Sequence, residues 1–361
     1  MRIFNLTLTI TLMTSLTAHT VPWGKGNKPL RVNSNYSLYF DTLPLDGTRN
    51  KNERPWAGWF WPHLNGGIAH RYLQPKTSAF TYKLYNKNEL LRMTPEEIST
   101  LSPAEKYDIY NQKYTSYPTV MSERRKNAGV RAEWEGICHG WAPAAANHPE
   151  PAPVTVVNPD GIEIHFGASD VKALLSYYYA RPGYKNSAQI GYKCTAPDSQ
   201  LNRYANCDQD ANAGAFHVMM ANELGRWKRS FIADVDRGHE MWNQPISEFH
   251  STIISDQPVR YTKRRFAWRL KKEIARRVHI KTRMIYASEV KPRFYPVVGT
   301  FLQKEEYNDY EYILEINPRG EIIGGTWLSE DRPDFAWVRQ KAKFTGYWSA
   351  IDRIYKKRQD L

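Results

Sequence analysis

The sequence predicts an α+β fold: one extended unit of helices and hairpins, with additions at its N-terminal and C-terminal ends. Three observations carry this. Two hydroxyl-Pro-x-Glu starts mark short helices in the first third of the chain. Two turn sequences flanked by β-branched residues, Asn158-Pro159-Asp160-Gly161 and Asn317-Pro318-Arg319-Gly320, mark hairpins. No repeat, low-complexity run or clear linker divides the chain. With 361 residues, 41% apolar and 24% charged, the composition suits a globular protein of one large domain or two smaller ones.

Residues 1–20 read as a secretory signal peptide. Arg2 gives a positive start, Ile3 to Leu16 is largely apolar, and Ala18 offers a cleavage point. The stretch is too short and polar to span a bilayer, and no later segment is long and apolar enough. The expected location is therefore secreted or periplasmic, with no transmembrane segment. Residues 21–130 form an aromatic and helical N-terminal region, part of which activation could remove as a pro-segment. Pro55 to Tyr72 gathers Trp56, Trp59, Phe60 and Trp61 beside two prolines, too proline-rich for a helix interior. Thr94-Pro95-Glu96-Glu97 and Ser102-Pro103-Ala104-Glu105 begin two short helices.

Residues 131–361 form the expected catalytic region with a β-rich C-terminal part. Ser169 to Tyr179 reads as a helix behind a Ser cap. Gly214 to Asp236 reads as two strands joined near Gly225 to Lys228. The net charge is +13, much of it in Tyr261 to Arg283, where Phe266, Leu270 and Ile274 recur every four residues, so 262–277 reads as an amphipathic helix with a basic outer face. Base-reading motifs are missing, so a solvated face is the simpler reading and nucleic acid is not an expected partner.

Three cysteines bound the chemistry. Cys194 and Cys207 share one polar loop; they either pair, leaving Cys138 as a free thiol, or remain two unrelated thiols. A thiolate is a strong nucleophile once its pKa is lowered by a helix N-terminus or an imidazolium. Cys138 sits where a Gly-containing turn feeds a helix. His217, in the apolar run AFHVMM, is the expected base. Asp234 would orient it if the two strands pair, and Asp236, on the same strand face, is the rival acid.

Here the strings become specific. WEGICHGWAPAA, GAFHVMMANELG, SFIADVDRGHEMWNQPI and GEIIGGTWL, with PWAGWFWP and LSPAEKYD before them, resemble the transglutaminase elicitor family of Phytophthora-type oomycetes and marine bacteria. The resemblance runs from about Pro55 to Val338. Met241 to Pro245 is similar to the segment that plants recognise in the oomycete members, where Val usually replaces Met241. The resemblance implies protein-glutamine γ-glutamyltransferase activity on a papain-like core. Cys138 would be nucleophile, His217 base and Asp234 acid, and the substrates would be protein glutamines with lysine or other primary amines. The long basic stretch looks like an insertion relative to the family. Trp134, Trp141 or Trp242 would shield a thioester from water.

Two rivals use the same residues: a papain-like cysteine protease, which shares the triad and the thioester, and an inactive relative that binds a surface. Calcium is the one cofactor with any signal. Asp208-x-Asp210-x-Asn212 alternates like a calcium loop, but Gly214 comes one place late and Met219 stands where a closing Glu belongs, so a polar turn is the simpler reading. His139, His148 and His165 show no zinc spacing, and no metal site is expected. Mass spectrometry without reductant should find Cys194 joined to Cys207 and Cys138 free; a bridge to Cys138 would remove it as nucleophile.

Overall fold

A computed structural model describes residues 23–24, 26–74, 82–129, 132–185, 187–193, 210–235, 237–259 and 274–356. The signal reading of 1–20, Cys194, Cys207, Asp208, Asp236 and the 262–273 part of the basic stretch lie outside them. Among the described residues no helix is long and apolar enough to cross a membrane.

The first half is mostly helical. After α1 (Pro29–Val32) and the short strand β1 (Asp46–Thr48) come α2 (Lys87–Leu90), α3 (Pro95–Ser99), α4 (Pro103–Tyr110) and α5 (Pro118–Asn127). Both hydroxyl-Pro starts form the reciprocal caps expected of them. The Thr94 side chain accepts from the Glu97 N–H while the Glu97 carboxylate accepts from the Thr94 N–H, and Ser102 and Glu105 do the same. Next are α6 (Cys138–Asn147), β2 (Val154–Val157), β3 (Glu163–Phe166), α7 (Ala168–Ala180) and β4 (Gln189–Gly191). The turn at Asp160-Gly161 makes β2 and β3 an antiparallel pair, as its sequence predicts. The cap of α7 lies two residues before the expected Ser169: it is Gly167, whose N–H donates to Asp170 Oδ2 at 2.7 Å.

The second half holds α8 (Ala213–Met220), β5 (Ile232–Asp234), β6 (Asn243–Pro258), β7 (Arg276–Ala287), β8 (Glu305–Ile316), β9 (Ile322–Trp327), β10 (Phe335–Trp337) and α9 (Ala350–Lys356). An eight-stranded sheet runs in the order β4-β10-β5-β6-β7-β8-β9, with β1 pairing to β6 off that path. Every pairing between its strands is antiparallel. The α+β class holds in this form, as helices with an antiparallel sheet.

Two sequence readings are corrected. AFHVMM is not a strand. It is helix α8, capped by Asn212 Oδ1, which accepts from the Gly214 and Ala215 N–H groups. Every residue of α8 is buried, so its apolar run carries neither the three-and-four period of a surface helix nor the alternation of a strand. The C-terminal end of the predicted basic helix is strand. Arg276 and Arg277 open β7, where Val278, Ile280, Thr282 and Met284 turn inward while Lys281 and Arg283 face solvent. The basic character there follows a period of two.

Two principal apolar cores result. One joins α3, α4, α5, α6, α7 and α9, with Trp56, Trp61 and Trp141 in it. The other fills the space between α8 and the inner face of the sheet. The helical core also encloses charge: Lys106 Nζ of α4 meets Asp170 Oδ2 of α7 at 2.7 Å, with both side chains fully buried. Lys172 of α7 pairs with buried Glu150, whose oxygens also accept from the Val297 and Val298 N–H groups. Removing one partner of such a pair strands the other in low dielectric. Lys106→Met is expected to lower the unfolding free energy by about 3–5 kcal/mol in chemical denaturation, and Lys106→Met with Asp170→Leu to recover part of the loss.

Candidate active site

The segment Gly136-Ile137-Cys138-His139-Gly140 turns into α6 under tight steric control. A Cβ on Gly136 would lie 2.4 Å from the Phe60 carbonyl oxygen, and one on Gly140 would lie 2.2 Å from the Ser176 carbonyl oxygen of α7. Glycine is therefore required on both sides of the cysteine. The Ile137 N–H donates to Phe60 O at 2.6 Å, which fixes the entry to the helix. Cys138 is the first residue of α6, so its N–H belongs to the turn that has no intrahelical acceptor.

The Cys138 thiol is 6% exposed. Sγ donates to the Met241 carbonyl oxygen at 3.3 Å, and the Asn243 side-chain amide approaches it, with Nδ2 at 3.6 Å. Trp337 Nε1 of β10 donates to Asn243 Oδ1 at 2.9 Å, which sets the amide with its nitrogen toward sulfur. Asp234 ends β5 directly across from Asn243, and its Oδ1 accepts from the Trp242 N–H at 2.8 Å. Met241 and Asn243 thus wall the thiol. Burial pushes the thiol up to about 11; hydrogen bonds from Asn243 oppose this, while the Asp234 and Glu289 carboxylates add to it. The resting cysteine is protonated at neutral pH.

Of the expected triad, the structure brings Cys138 and Asp234 into one place. It puts His217 elsewhere. His217 lies fully buried in α8, with Nδ1 2.8 Å from the Tyr312 hydroxyl and its ring against Phe40. Tyr312 contacts Thr282, which contacts Ser251 of β6, eight positions beyond Asn243 and roughly 26 Å of extended strand away. The imidazoles closest in sequence to the thiol and its wall are His139 and His239. His139 sits on α6 and lines a cavity of about 610 Å³ shared with Met241, Asn243 and Trp337. His239 is exposed on the loop that carries Met241, with its ring 6.1 Å from that of Trp134. Among the three expected shielding tryptophans, Trp141 is wholly in the core, whereas Trp242 packs edge-on to Phe60 at 5.5 Å and lines a separate cavity with Gln244 and Glu289.

Sequence reasoning missed Asn243 and Trp337 as parts of the site. The Met-Trp-Asn-Gln-Pro string was visible, but not that it folds back over the thiol. Among the described residues no group of three or more His, Cys, Asp or Glu side chains is placed to hold a metal. Asp210, from the calcium-like stretch, pairs with Arg332 and Arg237.

Burial alone pushes His217 down to about 4, so it is neutral in the folded state at neutral pH. A group with a depressed folded pKa gives stability that is present above its unfolded value, near 6.5, and lost as the pH falls through about 4. His217→Gln should therefore flatten the fall of unfolding free energy between pH 6.5 and 4, by on the order of 3 kcal/mol, in denaturation series at fixed ionic strength.

The crystal structure of the GP42 transglutaminase from Phytophthora sojae superposes with a TM-score of 0.61 at 22% identity, covering 89% of this chain and 93% of that one, which shows a shared fold. No curated protein matches. The family model described as transglutaminase elicitor matches residues 32–347, and the chain belongs to the transglutaminase elicitor family.

Proposed function

We propose that this chain is a secreted protein-glutamine γ-glutamyltransferase built on a papain-like core. The observation that carries the reading is the Cys138 thiol at the first turn of α6, set between the Met241 carbonyl and the Asn243 amide. Family membership supports the reaction class.

In the first half-reaction a base takes the Cys138 proton and the thiolate attacks the side-chain carboxamide carbon of a glutamine. The oxyanion is held by the Cys138 N–H and Asn243 Nδ2. The C–N bond breaks, the nitrogen takes a proton and leaves as ammonia, and a thioester remains. In the second half a neutral primary amine attacks the thioester, gives up a proton to the base, and displaces the thiolate, which is reprotonated. The product is an isopeptide or other secondary amide. Water in place of the amine gives glutamate. Since the thiol rests near 11, the base is essential at neutral pH. Asp234 contributes the carboxylate opposite Asn243. We assign the base to His239, on the loop that touches the thiol, in preference to His217, which is engaged with Tyr312 inside the other core.

The test is labelled-amine incorporation into a glutamine-containing protein, with ammonia release followed in parallel. Cys138→Ala should abolish both. His239→Ala should lower kcat by about 10²-fold or more, whereas His217→Ala should act on stability and leave kcat of the folded fraction within a fewfold. The reverse order would return the base to His217. Backbone cleavage without ammonia or amine incorporation would make the chain a cysteine protease.

A further inference from the structure

Three cavities adjoin around the C-terminal end of α7. The first, of about 610 Å³, is bordered by His139, Met241 and Asn243. The second, of about 730 Å³, shares Lys185, Ser187 and Arg339 with it, and the third, of about 600 Å³, shares Ala180 and Arg181. Tyr184 borders all three and is 59% exposed, so they make one open groove. Cys138 lines none of them. The groove starts at the wall of the thiol, at the two residues that contact Sγ, and leads away from it.

The groove carries one sign of charge. Arg181, Lys185 and Arg339 line its first part, Lys341 and Lys343 join in the second, and Arg125 and Lys126 in the third. No Asp or Glu among the described residues lines any of the three, and none of these seven cations pairs there with a carboxylate. Exposed cations elsewhere do pair, Lys83 with Glu89, Lys87 with Asp160 and Arg283 with Asp309. Within the groove, burial and the Arg181 guanidinium push Lys126 below the usual lysine range. Glu123 opposes Arg181 and Lys126, but it is 1% exposed and burial pushes it up to about 7, so it offsets them only in part. A concave surface of one sign focuses its field on what approaches.

The cations also stand on ordered backbone. The Arg339 guanidinium donates to the Gly183 and Lys185 carbonyls, which pins the turn that carries Tyr184. The Tyr178 hydroxyl donates to Lys343 O at 2.7 Å and the Ala342 N–H donates to the Tyr179 hydroxyl at 2.8 Å, which fixes Lys341 to Lys343 against α7. A partner of opposite charge therefore has little of this surface left to order. The aromatic rings are turned inward. Tyr177, Tyr178 and Tyr179 are buried, and Trp348 lies flat on Tyr107. A row of open ring faces, on which nucleic-acid bases would stack, is not present among the described residues. An acidic polypeptide needs no such row, and the first part of the groove borders the wall past which a protein glutamine must reach.

We propose that this groove binds an acidic segment of the protein substrate beside its reactive glutamine, so that the chain selects glutamines in acidic surroundings. The inference rests on the transglutaminase reading for the role of the bound segment, though not for the binding itself.

The experiment separates the two. A fluorescent peptide with one glutamine beside a run of glutamates, and a counterpart with serines in that run, are titrated by anisotropy with full-length Cys138→Ser protein. The acidic peptide should bind about tenfold more tightly, with an advantage that shrinks as salt is added. Lys185→Glu with Lys341→Glu, both exposed, should remove the advantage. Lys51→Glu with Lys228→Glu, also exposed but outside the groove, changes the net charge equally and should leave it within about twofold. Equal binding of the two peptides, or equal loss in both double variants, overturns the groove. So does an oligonucleotide that binds with the same sensitivity to the groove variant while the acidic peptide does not bind. With the active chain, kcat/KM for ammonia release should favour the acidic peptide about tenfold, and the groove variant should lose that preference while keeping its rate on the serine peptide. Ammonia release without preference overturns the proposal. If neither peptide releases ammonia or takes up amine, the transferase reading fails, and the anisotropy alone upholds or overturns the acidic-segment site.

Discussion

The close approach of α6 to α7 is the constraint on which the rest of the site depends. Gly140 brings backbone against backbone at Ser176, so even a methyl group there would force the helices apart. α7 itself is tied down along its N-terminal half, by Asp170 to α4 and by Lys172 to Glu150. Those buried pairs are costly to desolvate, and their value lies in the uncompensated charge that any other arrangement of the helices would leave. Cys138 is placed by this stack of helices, while its partners are placed by the sheet.

The helical core and the sheet thus meet at one sulfur atom. From the helical side comes an N-terminal turn with an unused N–H; from the sheet side come a carbonyl, an amide and a carboxylate. Their balance is not that of an exposed, pre-ionised thiolate. Desolvation and two nearby carboxylates outweigh the helix end and Asn243, so the thiol stays neutral until a base acts on it. A protein that keeps its nucleophile protonated in this way limits adventitious oxidation and alkylation, since both proceed through the thiolate.

Where the sequence was legible, a local rule sufficed. Thr94 with Glu97, Ser102 with Glu105, Asp160-Gly161 and Asn317 to Gly320 each define their own geometry within four residues, and each element formed as read. Where local pattern is ambiguous the reading failed. α8 is apolar on every side, and the positive charge of Arg276 to Arg283 fits helix or strand until the buried partners Val278, Ile280 and Met284 are known. The site divides the same way. Cys138 is legible as a lone thiol between glycines, and Asp234 as an acid on a following strand. The separation of His217 from the thiol and the turning of Asn243 by Trp337 depend on register across the sheet, which no short window of sequence contains.

The Asn243–Trp337 hydrogen bond has a consequence for how the protein is made. The thiol at Cys138 is translated early, its amide partner 105 residues later, and the indole that orients that amide a further 94 residues on. Closing loops of this length must precede any reward from the contacts they allow, so topology of this kind folds slowly and late. A ribosome-bound chain therefore carries an unassembled nucleophile through most of its elongation, and chemical competence arrives with the C-terminal strands rather than with the cysteine itself.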